Sequence, residues 1–190
     1  NKLIGQFSIS LVDLNLNKLY LVRDRVGQKP LFYTKNRDSI FFGSNLKSVK
    51  QLSGKSSLDE WELYKFLNYG VVPSPKTIYK EIYKVKPGEI IEIDLNDSDF
   101  LENKRIYWDP SSFVGENDFN NEEIMSLIKN SVDLRMQADV DIANFLSGGI
   151  DSTSIIKIAS KNNNLNTFSM SINQSSYDES KWFNLVSNKF

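Results

Sequence analysis

The chain has 190 residues, 40% of them apolar, with 23 basic and 24 acidic side chains for a net charge of -1. That balance gives no electrostatic reason to expect nucleic acid or a membrane surface as partner, and no apolar run is long enough for a transmembrane helix. With no Cys and no His, the chain has no disulfide, no thiol nucleophile and neither of the commonest metal-binding side chains.

The first 110 residues carry mostly strand signals. Phe7 to Val12 alternates, with Phe7, Ile9 and Leu11 on one face, as a half-buried strand does. Asn15 to Asn17 reads as a turn and Leu19 to Val22 as the second arm of a hairpin. Pro30 introduces a strand at Leu31 to Thr34, and Ile40 to Gly43 is the next. Ser57 and Glu60 have capping-box spacing and predict a helix over Leu58 to Leu67 that buries Leu58, Trp61, Leu63, Tyr64 and Leu67, with Gly70 ending it. Pro73 and Pro75 mark a loop. Pro87-Gly88 turns the chain into a strand at Glu89 to Ile93, and Asn96 to Asn103 reads as a loop.

The period then changes. Ile124, Leu127, Ile128, Val132, Leu134 and Met136 recur at helical spacing behind Glu122 and Glu123, acids that the helix dipole favours. Asn117 to Asn121 is the expected interdomain linker. Ile142 to Phe145 reads as a buried strand, Ser152 to Lys161 as a helix and Thr167 to Ile172 as a second strand, which together predict a βαβ unit and a parallel sheet. Tyr177-Asp178-Glu179 opens a last helix. The chain begins at Asn1 and stops within a helical pattern, as an interior piece of a longer protein would.

Between the Ile142 strand and its helix lie Leu146-Ser147-Gly148-Gly149-Ile150-Asp151-Ser152. Strand, diglycine turn and helix is the geometry that brings bare amides up to a phosphate. Glycines let an anion approach, the two serines add hydroxyls, and Asp151 beside a phosphate implies a cation, Mg²⁺, between them. No Lys follows the glycines, so this is not a Walker A loop. An ordinary Gly-Gly turn ending in a helix N-cap is the plainer alternative. The string SGGIDS resembles instead the pyrophosphate loop of ATP pyrophosphatases.

Further motifs extend the resemblance in order. Asp24-Arg25-Val26-Gly27-Gln28-Lys29-Pro30-Leu31-Phe32-Tyr33 resembles a DRxGxKPLYY signature, with Gly5 to Ile9 before it and Phe41, Gly43, Ser44, Lys47 and Ser48 after it. Asn45 stands where the pattern usually has Glu. Val85, Pro87 and Gly88, Tyr107-Trp108, Thr167 to Met170 and Ser176 to Ser180 continue the series. In this order the motifs resemble the glutamine-dependent asparagine synthetase family.

The resemblance implies two incomplete domains. Residues 1–110 would be the later part of a class II glutamine amidotransferase domain, an α+β half of the N-terminal-nucleophile-hydrolase fold. Residues 118–190 would open an α/β synthetase domain with a parallel sheet, like adenine-nucleotide α-hydrolases. The implied enzyme is a cytoplasmic ligase, dimeric in family members, that uses glutamine, aspartate and ATP with Mg²⁺. Leu146, Ser147, Gly148, Gly149, Asp151, Ser152 and Met170 would meet the nucleotide, with Asp151 on the metal. The family's glutaminase nucleophile, an N-terminal Cys, is not in this chain, nor are its glutamine-binding residues, so the 190 residues alone are expected to be inactive. A related amidotransferase for surface sugars, β-lactams or lasso peptides, and a non-catalytic glutaminase-like module, are the alternatives.

Four other groups admit two readings. Arg23, Asp24 and Arg25 are read as a structural ion pair rather than as catalytic charges. Asp178 and Glu179 could meet metal or substrate, or simply start a helix. Trp61 and Trp108 read as core or interface residues, and Lys29 as a solvated turn residue rather than part of an ammonia route.

Overall fold

The computed structural model describes residues 3–115, 120–161, 165–174 and 176–190. The chain divides into two units, Asn1–Gly115 and Glu116–Phe190.

In unit 1 the predicted hairpin is β1 (Ser8–Asp13) with β2 (Lys18–Arg23), paired antiparallel from Ser8↔Arg23 to Asp13↔Lys18. β3 (Phe32–Lys35) and β4 (Ile40–Gly43) form a second antiparallel pair. β5 (Tyr83–Lys84) joins β3, giving the order β4-β3-β5. β6 (Glu89–Asp94) and β7 (Glu102–Ile106) complete the first sheet in the order β1-β2-β6-β7. One hydrophobic cluster joins the sheets: Leu19, Leu21, Ile91 and Ile93 from the first, Tyr33 from the second, and Leu31 and Val85 beside it.

Three local expectations are corrected. The predicted loop Asn96 to Asn103 ends early, because β7 starts at Glu102. This polar edge strand has no alternating apolar pattern, and charged side chains are what an edge strand carries. Glu102 gathers Lys35 at 3.2 Å, Lys104 at 2.7 Å and the Tyr33 hydroxyl at 3.3 Å. Burial pushes the Tyr33 hydroxyl up to about 12.

The second correction is a helix that the hydrophobic pattern did not mark, α1 (Leu46–Ser53). Asn45 caps it, accepting from the amides of Lys47 at 2.9 Å and Ser48 at 3.3 Å. A short amide side chain suits this N-cap position well. Val49 is the one buried residue of the helix.

The third concerns the predicted helix at Leu58. It is α2 (Glu60–Tyr69), capped by Asp59 and ended by Gly70 in the left-handed region. Residues 57–59 are instead extended against 78–80: Leu58 bridges Tyr79, Ser57 accepts from Lys80 and Asp59 donates to Ile78. This pairing takes the backbone that a capping box at Ser57 would need. The predicted burial fails as well. Trp61 is 72% exposed and Leu67 74%, while Leu58 and Tyr64 are also exposed and Leu63 is half-buried. The buried residue of α2 is Glu62, paired with Lys65 at 2.8 Å.

The segment after β2 holds no Arg23–Asp24 ion pair among the described residues. Both side chains are spent on backbone. Asp24 is fully buried, and its carboxylate accepts from the amides of Lys29 (2.9 Å), Gln28 (3.0 Å) and Val26 (3.2 Å). The Arg23 guanidinium donates to the carbonyls of Gly27 (2.6 Å), Val85 (2.8 Å) and Lys29 (2.9 Å). The Asp24 carbonyl takes the amides of Gly27 and Gly88, and the Arg23 carbonyl takes the Tyr107 hydroxyl at 2.8 Å. Gly88 has no alternative residue: a Cβ there would lie 2.2 Å from the Trp108 carbonyl oxygen. Two adjacent charges of opposite sign thus bind the turn's backbone, and the amides satisfy the carboxylate that Asp24 buries.

In unit 2, α3 (Asn121–Arg135) is capped by Asn120, whose side chain accepts from Glu122 and Glu123. Asn120 and Asn121 are thus cap and first turn rather than linker, and 116–119 lie outside the described residues. β8 (Ala143–Phe145), α4 (Ile150–Ala159) and β9 (Asn166–Phe168) form the βαβ arrangement, with β8 parallel to β9. The expected strand after the glycine loop ends at Phe168, not Ile172. α4 starts at Ile150, two residues before the predicted Ser152. α5 (Ser180–Ser187) starts after the Tyr177-Asp178-Glu179 sequence. The Asn162 to Asn164 run lies outside the described residues. The expectation of a buried β8 fails, because Phe145 is 89% exposed. One face of the strand pair is covered, by Leu146, Ile156, Val186, Leu165 and Phe183, and the Phe145–Phe168 face is open.

Asp24→Ala should destabilise unit 1 by about 3 kcal/mol, because three amides lose a charged acceptor. Asp24→Asn should cost roughly half as much, since one acceptor oxygen remains. Burial raises the Asp24 carboxyl, but the amides of Lys29, Gln28, Val26 and Gly27 outweigh it and leave the group below its ordinary value. Its contribution is therefore complete at neutral pH and is lost as pH falls through the folded value. Urea unfolding should find wild type losing more stability on acidification than Asp24→Ala.

Candidate functional site

The diglycine loop is fixed at its entrance by β9. Leu146 is buried, its amide donates to the Phe168 carbonyl at 2.9 Å, and its carbonyl accepts from the Ser169 hydroxyl at 2.7 Å. The chain therefore leaves the sheet at a defined point. It then bends through Gly148, whose φ is +86°, a conformation that L side chains disfavour. A Cβ on Gly148 would lie 2.6 Å from the Trp182 Cβ and carbonyl carbon and 2.7 Å from the Phe183 nitrogen. Backbone of α5 thus touches the bend where only hydrogen fits.

Gly149 is the N-cap of α4, with φ -70° and ψ 167° and no side chain capping the helix. Its carbonyl takes the Thr153 amide at 3.0 Å and the Ser152 hydroxyl at 3.2 Å. The Ser147 hydroxyl accepts from the Gly149 amide at 3.3 Å and lies 3.0 Å from the Ser152 hydroxyl. The first-turn amides of Ile150, Asp151 and Ser152 have no partner in the helix by construction and no acceptor among the described residues. Ser147, Gly149, Ile150 and Asp151 are exposed. The arrangement is a solvent-facing row of amide donors at the positive end of a helix, rimmed by two hydroxyls and one carboxylate. That is what an anion needs.

Of the residues predicted from sequence, Leu146, Ser147, Gly148, Gly149, Asp151 and Ser152 share this loop. Met170 is on the adjacent segment that follows β9, two residues past the Phe168 carbonyl that holds Leu146, and is 77% exposed. Asp151 makes no ion pair among the described residues. No group of three or more acidic side chains that could hold a metal occurs among the described residues. One exposed carboxylate beside a phosphate suits Mg²⁺, which usually takes one or two carboxylates together with substrate phosphates and water. The contact of Trp182 with Gly148 was not legible in the sequence, since nothing in the local pattern of α5 refers to the distant glycines.

Two family models match the chain. Residues 1–108 match the Glutamine amidotransferase domain family and residues 123–190 the Asparagine synthase family. The chain belongs to the glutamine amidotransferase domain family, followed in tandem by asparagine synthase sequence. Its curated relatives include Asparagine synthetase [glutamine-hydrolyzing] 1 of Bacillus subtilis, 32% identical over 94% of this chain and 28% of that protein. Another is Putative asparagine synthetase [glutamine-hydrolyzing] 2 of Methanocaldococcus jannaschii, 28% identical over 98% of this chain and 37% of that protein. A third, Asparagine synthetase [glutamine-hydrolyzing] 2 of Bacillus subtilis, is 31% identical over 92% and 25%. The chain thus spans between a quarter and about two fifths of the length of these relatives. Among solved structures, the allosteric regulatory enzyme of purine biosynthesis covers 83% of this chain and 30% of its own, at 10% identity and a TM-score of 0.28, too low to bear on the fold.

Gly148→Ala should destabilise unit 2 by about 2–4 kcal/mol, from the left-handed backbone and the overlap with Trp182 together. Gly149→Ala should change stability little, because φ is ordinary there and a Cβ would sit 3.4 Å from the Ser147 hydroxyl. Thermal unfolding of the two variants gives the comparison.

Proposed function

We propose that the protein containing this chain is a glutamine-hydrolysing asparagine synthetase. It converts aspartate, glutamine, ATP and water to asparagine, glutamate, AMP and pyrophosphate through a β-aspartyl-AMP intermediate. The observation that carries the reading is the row of unpartnered amides at Ile150, Asp151 and Ser152 in the diglycine loop, within sequence that matches the Asparagine synthase family. In this reading residues 1–110 belong to a glutaminase domain of the N-terminal-nucleophile-hydrolase fold, and residues 118–190 begin an ATP pyrophosphatase domain built on a parallel sheet. No described helix is long and apolar enough to cross a membrane, and the reading makes the protein a cytoplasmic homodimer.

The residues of this chain serve the nucleotide end of the reaction. The amides of Ile150, Asp151 and Ser152 and the hydroxyls of Ser147 and Ser152 hold the β- and γ-phosphates, which leave together as pyrophosphate. Leu146 and Met170 lie against the adenosine part through main-chain atoms. Asp151 would hold Mg²⁺, which when bound would supply charge neutralisation at the phosphates. A carboxylate is a poor acyl donor until its oxygen becomes part of a good leaving group, and adenylation provides one. Fixed amide dipoles are suited to this work because they need no rearrangement as charge builds on the departing phosphates. The glutaminase nucleophile is not among these residues, since the chain has no Cys.

The full-length protein given ATP, Mg²⁺ and aspartate should release pyrophosphate only when aspartate is present. Aspartate-independent release, or none, would remove asparagine as the product. Asp151→Ala should abolish pyrophosphate release and leave glutamine hydrolysis measurable; loss of both activities would contradict the division of labour. A Cys directly after the initiator Met in the parent gene is also expected.

A further inference from the structure

We infer that Asp178 is a positioning residue for the diglycine bend, acting through the first turn of α5. The inference rests on the reading of that bend as a phosphate site. Asp178 lies between the end of β9 and the start of α5, and both carboxylate oxygens are engaged. One accepts from the Ser171 hydroxyl and the Ser180 amide, each at 3.2 Å; the other accepts from the Ser180 hydroxyl at 2.7 Å. A single side chain therefore ties the chain leaving β9 to the first residue of α5. Glu179, the N-cap, makes no side-chain capping bond, so Asp178 supplies the restraint at this helix start.

Trp182 and Phe183 follow within the same turn, and both of their amides donate to the Glu179 carbonyl. Their backbone is the surface on which Gly148 rests. Phe183 and Val186 pack with Leu146, so α5 is seated against the residue where the loop begins as well as against the bend itself. The hydroxyl of Ser180 foremost, together with backbone and Ser171 bonds, keeps the Asp178 carboxyl below its ordinary value, as expected of an anion satisfied by its own protein. Releasing the clamp frees the first turn of α5, and Gly148 loses the wall that fixes its left-handed bend. A carboxylate that held metal or substrate instead would act on the ligand directly and leave the empty loop unchanged.

The test uses the full-length protein with Asp178→Ala, Asp178→Asn and Ser171→Ala. Without nucleotide, hydrogen exchange of the hydrogen-bonded amides that frame the loop, those of Leu146, Thr153, Trp182 and Phe183, should quicken about tenfold in Asp178→Ala, with α3 unchanged. Asp178→Asn, which keeps an acceptor for the Ser180 amide, should stay near wild type, and Ser171→Ala should fall between and substitutes if Asp178→Ala does not fold. The apparent Kd for inorganic pyrophosphate should rise about tenfold in Asp178→Ala at an unchanged Mg²⁺ requirement. Unchanged exchange at Leu146, Thr153, Trp182 and Phe183 in Asp178→Ala overturns the inference. So does an Asp178→Asn protein as impaired as the alanine variant with a shifted Mg²⁺ requirement, which would make Asp178 a metal ligand. If wild type binds no pyrophosphate, the phosphate reading fails, and the exchange result still decides the clamp.

Discussion

Unit 2 is organised around a contact that leaves room for hydrogen only. Gly148 bends with positive φ directly against the backbone of Trp182 and Phe183. That contact fixes where the chain re-enters a helix, and therefore where α4 points its first amides. A side chain at Gly148 would push the loop off α5, and a capping side chain at Gly149 would take the amides for the protein itself. The chain has neither. The result is a helix start whose donors are left to solvent, which costs little while water satisfies them and becomes useful when an anion replaces the water.

Unit 1 solves the opposite problem. Its turn after β2 is largely exposed but carries one buried carboxylate, Asp24, whose acceptors must be satisfied internally. Asp24 and Arg23 bind this turn from adjacent positions, the carboxylate collecting amides and the guanidinium collecting carbonyls. The DRxGxKP pattern is thus explained without catalysis: Asp24 and Arg23 satisfy the turn and Gly27 permits it. A Cβ on Gly27 would lie 2.9 Å from Pro87 and 3.0 Å from the Arg23 guanidinium.

The glycine loop and the strands with clear alternation were legible in the sequence because their signals are local. A hairpin needs only its two arms and a turn, and β1, β2 and β4 were found within a residue or so of their bounds. The strand, diglycine bend and helix need only an apolar run, two glycines and a helical segment, all contiguous. What escaped depends on distant partners. β7 is a strand because β6 offers it an edge, not because Glu102 to Ile106 alternates. Ser57 loses its capping role to a pairing with residues 78–80. The burial expected of Trp61, Leu67 and Phe145 assumed that an apolar residue finds cover within the same unit, and these three do not. Arg23 and Asp24 were read as structural, but opposite charges side by side suggested each other as partners, whereas the backbone of the turn and of Val85 supplied them.

The central claim is that the amides at the start of α4 hold the phosphates of ATP. A structure of the full-length protein with Mg²⁺ and a non-hydrolysable ATP analogue tests it most directly. The account predicts terminal phosphate oxygens at hydrogen-bond distance, about 3 Å, from the amides of Ile150, Asp151 and Ser152, with the metal on Asp151. Nucleotide bound elsewhere, with those amides still facing water, would contradict it.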